Sequence, residues 1–176
     1  MYLNKTHYDP RIFAVLCLVV VAALMRFIPH EPNFTPIIAL AIFSGAHLKD
    51  KKLAFTIPIF AVLLSDIFLG FHSLMFFVYL SLIVCVILGL VICRSVTLKN
   101  VILSGLASSL LFFIVTNFGV FLVTDYYPHS FQGLIECYTM AIPFFRNTIL
   151  STAIFMAVLF YVYHLLDKKI LTHRSA

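Results

Sequence analysis

The 176-residue chain is 62% hydrophobic and only 11% charged, with a formal net charge of +5. A soluble domain carries about 25% charged residues, so this composition excludes a water-soluble globule and predicts an integral membrane protein. The chain has no glycine-rich phosphate loop, which excludes an ATP-driven motor on the same chain. The excess positive charge is explained by membrane topology, and no nucleic acid partner is expected.

Six apolar segments predict an all-α polytopic bundle that forms a single transmembrane domain. Crossing about 30 Å of hydrocarbon takes about 20 helical residues. The second segment is short by this measure and would need shielding by its neighbours or a thinned bilayer. Six helices is the preferred count, with five or seven as the alternatives. The predicted spans are residues 12–28, 34–48, 53–70, 74–93, 101–124 and 147–166.

Residues 125–146, between the last two spans, are predicted to form an outer loop. The loop contains an apolar piece, residues 134–145, which Pro143 interrupts. Proline inside a helix removes a backbone hydrogen bond and clashes with the preceding turn. Three alternatives therefore stand for this piece: a re-entrant helix, an interfacial helix, or an extension of the last span.

The distribution of lysine and arginine orients the bundle. Cytoplasmic loops are enriched in these residues, and placing both termini in the cytoplasm leaves only Arg26 and Arg146 on the outer side. This alternation at every loop supports an even number of helices. The basic residues then on the cytoplasmic side are Lys5, Arg11, Lys49, Lys51, Lys52, Arg94, Lys99, Lys168, Lys169 and Arg174.

Polar side chains concentrate at the outer ends of the predicted helices, which indicates a polar cup that opens away from the cytoplasm. Asp66 is the most informative of them, because a carboxylate about one turn inside the membrane costs on the order of 2–3 kcal/mol unless it is paired or hydrated. Arg26 and Arg146 are its candidate partners. The pair would be either a structural staple between helices or part of a ligand site. The predicted substrate-binding residues are His30, Asp66, Tyr79, Arg146, Asn117 and Arg26.

Two of these residues have an alternative structural role. Tyr79 could belong to an interfacial aromatic belt, and Asn117 could form a hydrogen bond between helices. Small residues four apart, such as Ala41 and Gly45, predict close helix packing.

Enzyme and metal motifs are weak. The HE pair at residues 30–31 starts like a zinc-protease motif, but Phe34 stands where that motif needs its second histidine. Histidines 30, 72 and 129 share one predicted side of the membrane without a spacing specific to a metal. No catalytic residue, resident metal or cofactor is predicted.

Several strings resemble the substrate-binding S components of energy-coupling-factor transporters, and most closely their solitary vitamin B12 branch. The strings are RFIPH at 26–30, PNFTP at 32–36, SD at 65–66 with LGFH at 69–72, FF at 112–113 with TNFG at 116–119, and PFFRNT at 143–148. The resemblance implies a non-enzymatic protein of the bacterial inner membrane. It would take up a micronutrient, with cobalamin or a related corrinoid as the leading substrate.

The resemblance also implies partners: a vitamin-like ligand, the lipid bilayer, a membrane scaffold and two cytoplasmic ATPases. It assigns the pocket to His30, Asp66, Tyr79 and Arg146. The cobalt-ligating cysteine of the B12 branch falls near Tyr79 here, so Cys85, Cys137 or His30 would have to replace it. The first helix has Leu18 where a small residue of the usual scaffold-docking face would be, which is typical of a solitary transporter.

Two other functional classes remain open. One is a small membrane enzyme that uses the outer polar residues or a metal bound there. The other is a non-catalytic assembly subunit in which the Asp66 ion pair holds helices together.

Overall fold

The computed structural model describes residues 10–29 and 31–174. These residues form helices joined by short connections, with no strand among them, which confirms the all-α prediction. A short 3-10 helix, Met25–Phe27, follows the first α-helix. The α-helices are α1 Pro10–Leu24, α2 Ile37–His47, α3 Lys51–Leu69, α4 Met75–Ile92, α5 Leu98–Val123 and α6 Phe131–Arg174.

Four helices, α3 to α6, are long and apolar enough to cross a membrane. The helix α2 has 11 residues, which corresponds to a length of about 16 Å at 1.5 Å per residue. Hydrocarbon about 30 Å thick is too wide for α2 to span as a straight helix. The chain is therefore a membrane-embedded helical protein in which the long helices surround a short one.

The short helix α2 lies at the centre of the bundle. All ten of its residues from 37 to 46 are buried, because α1, α3, α4, α5 and α6 each pack against it. This arrangement provides the shielding that a short apolar segment needs. It also explains why this helix is apolar on every side.

The closest helix packing is between α2 and α4. A Cβ atom added to Gly45 would collide with the Val86 carbonyl oxygen, and one added to Gly89 would collide with the Ile42 carbonyl oxygen. The two backbones thus touch at a pair of glycines, as small residues allow in membrane helices. Ala41 is fully buried one turn before Gly45, which agrees with the predicted packing role of this pair.

The helix α6 corrects the predicted outer loop. It has 44 residues and runs without interruption through Pro143. The apolar piece at 134–145 is therefore an extension of the last helix, and the prediction of a loop up to residue 146 is wrong. The connection between α5 and α6 is only residues 124–130. The α5 helix packs along α6, and proline is tolerated inside membrane helices when neighbouring helices support the segment.

The end of α3 that follows Asp66 is fixed by Gly70. This residue has φ of 100° and its N–H donates to the Asp66 carbonyl oxygen at 2.8 Å. A left-handed conformation of this kind suits glycine, which carries no Cβ. The helix consequently ends one turn after Asp66 and places that carboxylate near the end of the bundle.

Candidate functional site

A buried ion pair joins the first helix region to α3. Arg26, in the 3-10 helix, donates from Nη2 to Asp66 Oδ1 at 2.8 Å. The Asp66 side chain is 2% exposed and that of Arg26 is 15% exposed. Tyr79 on α4 donates its hydroxyl to the other carboxylate oxygen at 2.8 Å. Both oxygens of Asp66 are thus occupied by protein donors from two different elements.

The guanidinium of Arg26 makes two further contacts with α3. Nη1 donates to the Val62 carbonyl oxygen at 3.0 Å and to the Ser65 hydroxyl oxygen. Ser65 in turn donates to the Val62 carbonyl oxygen at 2.7 Å. A buried charge pair is tolerated when further hydrogen bonds satisfy its remaining atoms. The network of Arg26, Asp66, Tyr79 and Ser65 meets that condition, and it fastens α1, α3 and α4 together.

The partner of Asp66 is Arg26 and not Arg146. Arg146 lies on α6 with an exposed side chain, and the described part of the chain shows no ion pair between it and Asp66. The packing of the helices explains this difference, because α6 does not pack against α3 within the described residues. Positions 144 and 148 line the cavity, and position 146 points about 200° away from 144 at 100° per residue.

A cavity of about 470 Å³ opens at the same end of the bundle, and Arg26 forms part of its wall. Its lining includes His72 and both tyrosines of the 126–127 pair. Aromatic and apolar side chains, among them Phe112 and Phe144, complete the wall. None of the described lining residues is acidic. The cavity therefore offers one cation, neutral hydrogen-bonding groups and apolar surface.

The loop between α1 and α2 forms another part of the cavity wall. Phe34 N donates to the Glu31 carbonyl oxygen at 2.9 Å, and Asn33 between them has φ of 61°. Proline followed by a left-handed asparagine is the pattern of a type II turn. Helix α6 holds this turn, because Asn147 Nδ2 donates to the Pro32 carbonyl oxygen at 3.1 Å.

The facing walls of the cavity come from α5 and α6. Asn117 Nδ2 donates to the Phe113 carbonyl oxygen at 2.7 Å within α5. Cys137 Sγ donates to the Asn117 carbonyl oxygen at 3.4 Å, and Tyr138 donates its hydroxyl to the Ile114 carbonyl oxygen at 2.8 Å. These bonds between helices fix the wall against which a ligand would pack.

The predicted site residues fall into four groups. Arg26 and Asn117 line the cavity, while Asp66 and Tyr79 lie behind Arg26 and support it. Arg146 is exposed outside the cavity lining. His30 lies outside the described residues.

Of the three alternative cobalt ligands, Cys85 is fully buried and does not line the cavity, whereas Cys137 is part of the cavity lining. The third, His30, falls outside the part of the chain that the structure describes. Within that part, no group of three or more histidine, cysteine or acidic residues has the arrangement of a metal site.

Sequence reasoning named Cys137 as a candidate ligand but missed the cavity wall to which it belongs. This wall is a stripe on α6 formed by Cys137, Ala141, Phe144, Thr148 and Ser151. The spacings of four, three, four and three residues are those of one helix face. The signal was present in the sequence, but it becomes visible only when residues 131–151 are taken as a continuous helix.

The fold and the cavity define a class of protein: a helical membrane protein with a half-polar cavity at one end. The chain belongs to a family of unknown function, DUF6580, whose profile matches residues 6–174. No curated protein and no solved structure matches the chain.

Proposed function

We propose that this protein captures a small neutral or anionic micronutrient in the cavity beside Arg26 and helps to carry it across the membrane. The observation that carries the proposal is the cavity itself: about 470 Å³, at one end of the bundle, with Arg26 as the cation and no acidic residue among its described lining residues, and with an aromatic wall. Ligand sites typically occupy about 300–1,000 Å³ and combine apolar walls with a few polar groups.

The charge of the lining limits the ligand. A cationic compound would lose its hydration without gaining a carboxylate partner, which disfavours binding. Arg26 is held at the wall by Asp66, so its position does not depend on the ligand. A rigid, preoriented group of this kind reduces the entropy lost on binding. His72 and Asn117 supply neutral hydrogen bonds, and Phe112 and Phe144 cover apolar parts of the ligand.

The transport class comes from the resemblance to S components of energy-coupling-factor transporters. In this proposal six helices form an S-component-like bundle in a bacterial inner membrane, with both termini in the cytoplasm. The cavity then faces outward. A membrane scaffold and two ATPases are the proposed partners, and the protein itself performs no catalysis.

Cobalamin or a related corrinoid is the substrate that the resemblance implies. A corrinoid is much larger than the drug-sized ligands that a cavity of about 470 Å³ encloses. In this proposal a corrinoid would seat one part in the cavity and extend beyond its mouth. Smaller vitamins fit entirely inside.

The experiment is calorimetric titration of the detergent-purified protein with cyanocobalamin and then with a panel of smaller vitamins. The proposal expects saturable binding of at least one compound. Thr148→Val, which removes a hydroxyl from the lining, should weaken this binding by about fivefold to tenfold, the effect of one hydrogen bond. Arg146→Gln, on the same helix but outside the cavity, is the matched control and should bind as the wild type does. A folded protein that binds nothing in the panel contradicts the proposal.

A further inference from the structure

A second cavity lies at the opposite end of the bundle, where α2 and α4 end and α5 begins. Its volume is about 910 Å³. Basic side chains dominate its polar lining: Lys49 is exposed in the connection between α2 and α3, Lys51 is exposed at the first residue of α3, and His164 comes from α6. Asp167 is the acidic residue among the described lining residues, and it interacts electrostatically with His47 in the same wall.

The wall around His47 is a rigid aromatic cluster. The imidazole ring lies 4.2 Å from the ring of Tyr163, 5.0 Å from that of Phe160 and 4.4 Å from that of Phe43, measured between ring centres. Nδ1 of His47 is also 3.1 Å from the Phe43 carbonyl oxygen. Lys49 and Lys51 are exposed at this cavity, and the contacts around His47 hold its inner wall.

An apolar groove continues from this cavity along the surface between α5 and α6. The groove has a volume of about 160 Å³ and shares four lining residues with the cavity: Leu98, Val101, Met156 and Ala157. Gly105 and Ala153 line the groove, and their small side chains leave it deeper at these positions. Beside it, Ile102 and Leu106 are 52% and 51% exposed, on a helix long and apolar enough to cross a membrane. The groove thus lies in the part of the surface that hydrocarbon would cover.

The cavity with Lys49 and Lys51 and the apolar groove together offer the two kinds of surface that a phospholipid needs: a basic site for its headgroup and an apolar site for an acyl chain. We propose that they bind one anionic phospholipid, whose phosphate lies between Lys49 and Lys51 while an acyl chain occupies the groove between α5 and α6. Basic pockets between membrane helices attract anionic headgroups. A soluble phosphate compound would use the lysines but leave the groove empty, so the continuity of the two spaces favours a lipid. This proposal is independent of the ligand in the cavity beside Arg26.

The test is native mass spectrometry of the full-length, detergent-solubilised protein. The probes are dioleoyl-phosphatidylglycerol, dioleoyl-phosphatidylcholine and inorganic phosphate. We expect phosphatidylglycerol to bind about tenfold more tightly than phosphatidylcholine, because each nearby lysine favours an anionic headgroup. The double variant Lys49→Gln/Lys51→Gln should remove this preference.

A second double variant, Lys52→Gln/Lys99→Gln, is the matched control. It removes the same charge from exposed lysines at the same end of the bundle that do not line the cavity. The control should keep the preference for phosphatidylglycerol. Equal loss in both double variants would mean general surface attraction and would overturn the proposal, as would equal binding of the two lipids by the wild type.

The groove is tested separately with Ala153→Leu. Ala153 is exposed and lines the groove but not the cavity, so a larger side chain fills the groove without entering the core or the headgroup site. We expect this variant to bind dioleoyl-phosphatidylglycerol about tenfold more weakly and to bind its deacylated headgroup, glycerophosphoglycerol, as the wild type does. Inorganic phosphate or the headgroup binding as tightly as the lipid would identify a soluble phosphate site and overturn the lipid assignment.

Discussion

The two ends of the bundle use charge in opposite ways. At the end that holds the Arg26 cavity, the charged pair is buried and both oxygens of Asp66 accept bonds from protein donors. At the other end Lys49 and Lys51 are exposed around a larger cavity. The buried pair is part of the architecture, since removing either member leaves an uncompensated charge. The exposed lysines add little to stability and remain available to a ligand.

This difference bears on the interpretation of polar residues in membrane helices. A carboxylate near the membrane boundary is often taken to bind a ligand or an ion. Here the carboxylate of Asp66 positions the arginine that reaches the cavity. The side chain that lines the cavity is therefore Arg26. Asp66, which stands out in the sequence, lies behind it as its partner.

Among the substitutions that test this difference between the two ends, Asp66→Ala is expected to change stability most. The substitution leaves Arg26 buried without its anion and should lower the free energy of unfolding by about 3–5 kcal/mol. Chemical unfolding in detergent measures the change. Arg146→Ala, at an exposed arginine, is the control and should change stability by less than about 0.5 kcal/mol. Equal effects of the two substitutions would show that the buried pair has no special structural role.

A smaller loss is expected from Tyr79→Phe, which removes one hydrogen bond to the buried carboxylate and little else. Hydrogen bonds to charged groups contribute about 1.5–3 kcal/mol, and the variant should lose an amount in this range. The control is Tyr161→Phe, because Tyr161 is 64% exposed at the other end of the bundle. Unchanged stability of Tyr79→Phe would mean that water replaces the hydroxyl at Asp66.

Gly89→Ala tests the contact between α2 and α4, close to the ends of both helices that border the cavity with Lys49 and Lys51. The added methyl group would collide with the backbone of α2, and overpacking of this kind costs about 1–3 kcal/mol. We expect a lower unfolding temperature and weaker ligand binding in the Arg26 cavity, since α2 begins beside it. Ala153→Leu, at an exposed position on α6, should leave the unfolding temperature unchanged. Wild-type stability of Gly89→Ala would argue against close contact of α2 and α4.

The smallest change in stability is expected from Lys49→Gln/Lys51→Gln. Both lysines are exposed, so the free energy of unfolding in lipid-free detergent should change by no more than about 0.5 kcal/mol. A loss above 2 kcal/mol would mean that these lysines hold the fold together, as Asp66 does at the other end. The two ends would then not differ in the way described above.

Much of the helical organisation follows from the sequence, because apolar segments and the charges between them are strong signals. The segments at 53–70, 74–93 and 101–124 each contain most of one observed helix. The central position of α2 was indicated by its length, since a short apolar segment has to be shielded. The start of α6 was predicted wrongly, because Pro143 suggested an interruption that packing against α5 overrides.

The candidate site was predictable only in part. Arg26, Asp66 and Tyr79 were each identified, and Arg26 was one of two candidate partners for Asp66. Choosing between Arg26 and Arg146 required knowing which elements pack against α3, which depends on tertiary packing and not on depth along the helix. The wall that contains Cys137 and Thr148 was missed for a related reason, since a stripe on a helix is recognised only once the helix is known to be continuous.

The 44 residues of α6 have a consequence for the whole molecule. At 1.5 Å per residue the helix is about 66 Å long, roughly twice the thickness of membrane hydrocarbon. Residues 137–151 of this rod form a wall of the Arg26 cavity, and residues 156–167 form a wall of the lysine-rich cavity. A rotation of α6 about its long axis would turn both walls in the same step. One continuous helix is thus a wall common to the cavities at both ends of the bundle.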